Sequence, residues 1–181
     1  MKYTRVLAAL VMVVPQVALA QGQPASLLPG GNSKDPVSIN AGKLDYLSKD
    51  QKLIYSGGVM ARQGKSTLKA SSLTIFLATA PGGKDASVGP APTGNSVQRM
   101  EADGPVTVTS GQEVGTGAHA TYDKAANRVV VTGHVTLTQG PNVTRGDVLT
   151  YNLTSGQAVV TGHVQSLFTP ASSPRPRRRK H

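Results

Sequence analysis

From Pro36 onward, apolar residues recur at every second position of the chain. Val37 and Ile39 face one way, with Ser38 and Asn40 the other, and Leu44 and Tyr46 alternate with Lys43 and Asp45. Leu53, Tyr55, Val59 and Ala61 share a parity, set against Lys52, Ser56, Met60 and Arg62. Leu68, Ala70, Leu73 and Ile75 form another apolar series, and Met100, Ala102, Val106 and Val108 one more. Ala118, Ala120 and Tyr122 then precede Val129, Val131, Val135 and Leu137, and Leu149 and Tyr151 precede Ala158, Val160 and Val164. A period of two marks strands with one buried and one wet face. Turn residues separate these runs at Leu47–Gln51, Asp123–Asn127 and Ser155–Gln157. No window sustains a helical period. The pattern predicts an all-β, antiparallel protein.

A repeat lies over this alternation. Ser56-Gly57-Gly58-Val59, Asp103-Gly104-Pro105-Val106, Thr132-Gly133-His134-Val135 and Thr161-Gly162-His163-Val164 share one Gly-x-Val cadence. Tyr46 and Gly57, Tyr122 and Gly133, and Tyr151 and Gly162 are each eleven positions apart, and the matching units are offset by 76 and then 29 residues. A repeat of about 30 residues indicates stacked hairpins in an elongated β structure.

Composition adds boundaries. Lys2 and Arg5, the apolar run Val6–Val14 and Ala18-Leu19-Ala20 read as a cleavable export signal over residues 1–20. The run is too short for a comfortable membrane span, which needs roughly 20 residues. Residues 21–35 read as a flexible lead-in, 36–168 as the folded body, 77–96 as a long Gly/Pro-rich loop and 169–181 as a disordered basic tail. The chain has no Cys and no Trp, so disulfide and thiolate chemistry are absent and the core is aliphatic. The formal charge of +10 overstates the basicity of the body. Setting aside Lys2, Arg5, Arg175, Arg177, Arg178, Arg179 and Lys180 leaves 12 of the 19 basic residues against 9 acidic ones. Nucleic acid is therefore not an expected partner.

No catalytic constellation stands out. His119, His134, His163 and His181 lack metal-ligand spacing, and His134 and His163 read as solvent-facing strand residues. Glu101 and Asp103 share the wet face of one strand, but a glycosidase pair would also need an aromatic sugar cleft. The other carboxylates lie mostly in or beside turns. The reading is a non-enzyme without cofactor or metal. The basic tail is either a solubilising end or an attachment to an anionic surface.

The segment 35–41, the run from Leu53 to Gly64 with Leu68-Lys69-Ala70, and the run from Val129 to Gly140 followed by Gly146–Tyr151 together resemble the OstA-like family of lipopolysaccharide-transport proteins, the fold of LptA, of LptC and of the amino-terminal domain of LptD. The resemblance covers nearly the whole body. It implies a folded-over, V-shaped antiparallel β-jellyroll, a periplasmic location and head-to-tail homo-oligomers. It also implies lipopolysaccharide as ligand, with LptC-like inner-membrane and LptD-like outer-membrane components as partners. The apolar parity then lines a lipid groove: Val37, Ile39, Leu44, Tyr46, Leu53, Tyr55, Val59, Leu68, Leu73, Ile75, Met100, Val106, Val108, Tyr122, Val129, Val131, Val135, Leu137, Leu149, Tyr151 and Val160. The residues alone leave two alternatives open: an LptC-like membrane-tethered subunit, and a structural β-solenoid whose apolar stripe is only a dry core.

Overall fold

The computed structural model describes residues 28–29, 35–78 and 97–170. Among these residues ten strands form one antiparallel sheet: β1 (Val37–Asn40), β2 (Lys43–Leu47), β3 (Lys52–Gln63), β4 (Ser66–Leu77), β5 (Val97–Ser110), β6 (Glu113–Asp123), β7 (Arg128–Gln139), β8 (Asn142–Asn152), β9 (Ala158–Thr161) and β10 (Gln165–Leu167). β1 and β2 pair with successive halves of β3, and β9 and β10 with successive halves of β8. Each pair is in effect one interrupted edge strand. The order is then a plain meander in which every strand neighbours the next in sequence.

The Gly-x-Val cadence marks a crease across this meander. The register slips between Ser56 and Val59, Lys69 and Ser72, Asp103 and Val106, Thr116 and His119, and Thr132 and Val135. Gly57, Gly58, Gly104, Gly133, His134, Gly162 and His163 all have left-handed φ, from 45° to 93°. β3, β5 and β7 each carry an extra residue opposite β4, β6 and β8, whose crease positions are Ser71, Ala118 and Asp147. Bulges bend and twist a strand. Aligned on neighbouring strands, they divide the sheet into two arms.

The first arm holds residues 52–56, 72–77, 97–103, 119–123, 128–132 and 148–152. The second holds 59–63, 66–70, 106–110, 113–117, 135–139 and 142–146. Leu53, Leu73 and Ile75 of the first arm and Val106 and Val135 of the second are each at most 1% exposed. The described residues hold no helix and no second sheet to cover them. The arms therefore cover each other, which makes the fold the V-shaped β-jellyroll that the sequence implied.

Several sequence expectations change at the crease and at the boundaries. His134 and His163 are not extended strand residues; each is the second residue of a Gly-His bulge, with φ 53° and 45°. Ala118 belongs to the crease rather than to the apolar face, and a β-carbon built on Gly133 would lie 2.6 Å from its own. Leu77 ends β4, only 4% exposed, instead of opening the loop. Leu28, placed in the lead-in by sequence, is 4% exposed. Thr169 is tied to the β7–β8 turn through Asn142 Oδ1 and the Pro141 carbonyl. The export signal, most of the loop and the basic cluster lie outside the described residues.

Candidate ligand groove

Alternation places the inward side chains of both arms on facing walls. Tyr55, Met100, Tyr122, Val129, Val131 and Leu149 join Leu53, Leu73 and Ile75 on the first arm, and Val59, Leu68 and Val108 join Val106 and Val135 on the second, all buried. Ile39, Leu137, Tyr151 and Val160 are partly buried and pack against this core. Val37, Leu44 and Tyr46 differ from the expectation of an enclosed lining. They pair with Gln63, Tyr55 and Leu53 and so share the inward face, but they are 37–38% exposed. Among the described residues, nothing beyond the edge strand covers them. Sequence parity gives the face, not the burial.

Among the described residues, two apolar pockets, each partly open to solvent, lie between the arms. One reaches from Leu68 and Val108 on the second arm to Leu73, Met100 and Tyr122 on the first. The other is lined by Val131, Leu137, Leu149 and Tyr151, together with Ser110 and Glu113. Pro29, Val108 and Val129 line both, so the two are neighbours in one apolar interior.

Polar features inside are few. Gln63 and Ser66, 2% and 0% exposed, are the buried polar residues of the core among those described. Burial pushes the Tyr55, Tyr122 and Tyr151 hydroxyls above their ordinary pKa, with Asp123 adding to the effect at Tyr122 and Glu113 at Tyr151. All three are therefore neutral at physiological pH. The Tyr122 hydroxyl is buried without a hydrogen-bond partner. Among the described residues, such a wall offers aliphatic surface and neutral hydroxyls, with Glu113 as the one carboxylate lining either pocket. It suits a long apolar chain, whose burial contributes about 0.8 kcal/mol per methylene without directional bonds.

Charge is confined to the outside and the ends. Phe76, one of two phenylalanines in the chain, points outward, with Lys52 and Arg99 each 5.3 Å from its ring centre. Glu101 is paired with Arg99, and Asp103 with His119 at 2.7 Å, which ties up the two carboxylates that shared a face in sequence. Asp147 and His163 repeat the second pair, also at 2.7 Å, across the next bulge. Among the described residues, no three His, Asp or Glu side chains cluster as a metal site. Gln139 Nε2 donates to Glu113 Oε1 at 2.8 Å beside the second pocket. The sequence signal missed three contributors to the interior, Leu28, Leu77 and Val97, the last fully buried beside a slip of register between Phe76 and Leu77.

The comparisons agree with this geometry. A family model described as LptA/(LptD N-terminal domain) LPS transport protein matches residues 38–157. An uncharacterized protein of Rhizobium meliloti (strain 1021) is 30% identical over 107 residues, 58% of this chain and 54% of that protein. The chain thus spans about half the length of this curated relative. The crystal structure of LptH, the LptA-homologous periplasmic component of the lipopolysaccharide transport device of Pseudomonas aeruginosa, superposes with a TM-score of 0.61 at 15% identity. The match covers 75% of this chain and 96% of LptH.

Proposed function

This chain belongs to the LptA/(LptD N-terminal domain) family of LPS transport proteins, and from that premise we propose that it is a non-enzymatic periplasmic carrier for lipopolysaccharide. In this reading the acyl chains lie between the two arms. The polar head group stays outside, because the described interior holds no cation to desolvate with it. The observation that carries the reading is the continuous apolar face between the two arms, with two adjoining pockets in it that are partly open to solvent.

The bridge is part of the proposal. The sheet is open at β1/β2 and at β9/β10, and open edges are templates for strand addition by another domain. Val37, Leu44, Tyr46 and Leu47 on one edge and Val159, Val164, Leu167 and Phe168 on the other are exposed apolar side chains beside those unpaired backbones. Copies of this chain, or LptC-like and LptD-like components, would extend the groove by joining edge to edge.

Organic extraction of the protein purified from its native envelope, followed by mass spectrometry, tests the carrier reading. Acylated glycolipid recovered at a defined ratio to protein supports it. Protein that is free of lipid at every stage, and that takes up none when incubated with lipopolysaccharide, contradicts it.

A further inference from the structure

Leu28 and Pro29 lie inside the groove, in the path an acyl chain would take. Leu28 reaches the same pocket as Leu73 and Tyr122, and Pro29 stands where the two pockets meet. Their attachment differs from that of the strands. The Leu28 N–H donates to Gln63 Oε1 at 3.3 Å, and Gln63 Nε2 donates to the Asp35 carbonyl at 3.3 Å. Ser66 Oγ donates to the Pro29 carbonyl at 2.5 Å. The two buried polar side chains of the core thus both clasp this segment's backbone. Neither residue belongs to a strand of the described sheet, and segments outside a sheet ladder are those that open locally at lower cost.

The wall facing it is imperfectly matched. Tyr122 lines the pocket that Leu28 enters, and its hydroxyl has no hydrogen-bond partner. A permanent core neighbour would normally satisfy a buried hydroxyl, since leaving it unpaired is unfavourable. An occupant that exchanges with a ligand carrying ester, amide or hydroxyl groups need not.

We infer that the Leu28–Pro29 segment is a built-in occupant of the groove, displaced when an acyl chain enters. The inference rests on the carrier reading above and adds a device to it. The segment keeps the empty interior filled, and it lowers the apparent affinity for acyl chains by the fraction of time it is seated. Gln63 and Ser66 are clasps that contribute to this fraction.

The chain contains no cysteine, so Leu28→Cys in the full-length protein carries a single thiol. Its reaction with N-ethylmaleimide is compared with that of Leu167→Cys, at a position 66% exposed. cis-Parinaric acid serves as the acyl probe, and its fluorescence reports entry independently. Without probe, the thiol at 28 should react at least about tenfold more slowly than the one at 167. Saturating probe should bring the two rates together. Ser66→Ala should tighten probe binding several-fold. Hydrogen exchange of the Leu28 amide in the unsubstituted protein should likewise accelerate when probe is added. Probe that binds while the thiol and the amide stay protected would make Leu28 a fixed part of the core and overturn the inference, with the groove intact. Probe that binds neither the unsubstituted protein nor Ser66→Ala would overturn the groove reading and the displacement with it.

Discussion

Gly133 of β7 stands so close to Ala118 of β6 that a β-carbon on the glycine would lie 2.6 Å from that of the alanine. The same closeness recurs between Gly104 and Ser71 and between Gly162 and Asp147. At each of these points a glycine with left-handed φ lets one strand carry an extra residue against its neighbour. The contact is the hinge line on which the two arms fold, and without it the inward face would be half of an open, wet sheet.

Gly133→Ala is accordingly expected to destabilise the protein by about 2–4 kcal/mol, because strain at φ 84° adds to the clash with Ala118. Gly58→Ala has a comparable φ of 80° but no atom within 4 Å of the added carbon. It should cost only about 1–2 kcal/mol. Urea denaturation of both variants checks the difference; equal losses would mean that the crease is not tightly packed.

Leu53→Ala should cost about 2–5 kcal/mol, since Leu53 is fully buried between the arms. Leu167→Ala, at 66% exposure, should change stability by less than about 0.5 kcal/mol. The same denaturation assay reads both.

Tyr122→Phe is expected to leave the ligand-free protein within about 0.5 kcal/mol of the parent, or to stabilise it, because the hydroxyl it removes has no partner. A loss of about 1 kcal/mol or more, the usual result for a bonded buried hydroxyl, would show that the group is satisfied in solution.

Hydrogen bonding to the Asp147 carboxylate holds His163 above its ordinary pKa of 6.5. The folded state therefore binds this proton more tightly than the unfolded one. The pair's contribution is fully present below pH 6.5 and disappears as pH rises through the elevated folded value. The effect on stability should be small, because His163 is almost wholly exposed. The direct measurement is an NMR titration of the imidazole, with Asp147→Asn expected to return the midpoint to the ordinary range.

Much of this was legible in the sequence, for reasons visible at single residues. Alternation sorted Tyr55 and Val131 to the inward face because one side of each strand meets the opposing arm. The crease was also written there, in the odd spacings from Ala70 to Leu73 and from Gly146 to Leu149, where the inward parity flips. Read as unbroken strands, those runs hide the bulges, so Ala118 takes the wrong surroundings and His134, although solvent-facing as expected, the wrong backbone conformation. Burial of Val37, Leu44 and Tyr46 was not legible, because an edge residue is covered only by what lies beyond the edge. Leu28 was not either. An isolated Leu27-Leu28 pair between polar and Gly-rich residues gives no period, and its place depends on Gln63 and Ser66, distant in sequence.

The central claim is that the face between the arms, and not the outer face, holds acyl chains. Val130 and Val131 are neighbours on β7 with opposite directions, pairing with Thr150 and Leu149 on β8. A photoreactive benzoylphenylalanine placed at Val131 or Leu149, and separately at Val130 or Thr136, is irradiated with lipopolysaccharide present. Capture from Val131 and Leu149 with little or none from Val130 and Thr136 is the result expected of an inter-arm groove. Equal capture from both faces, or capture from the outer face alone, would contradict it.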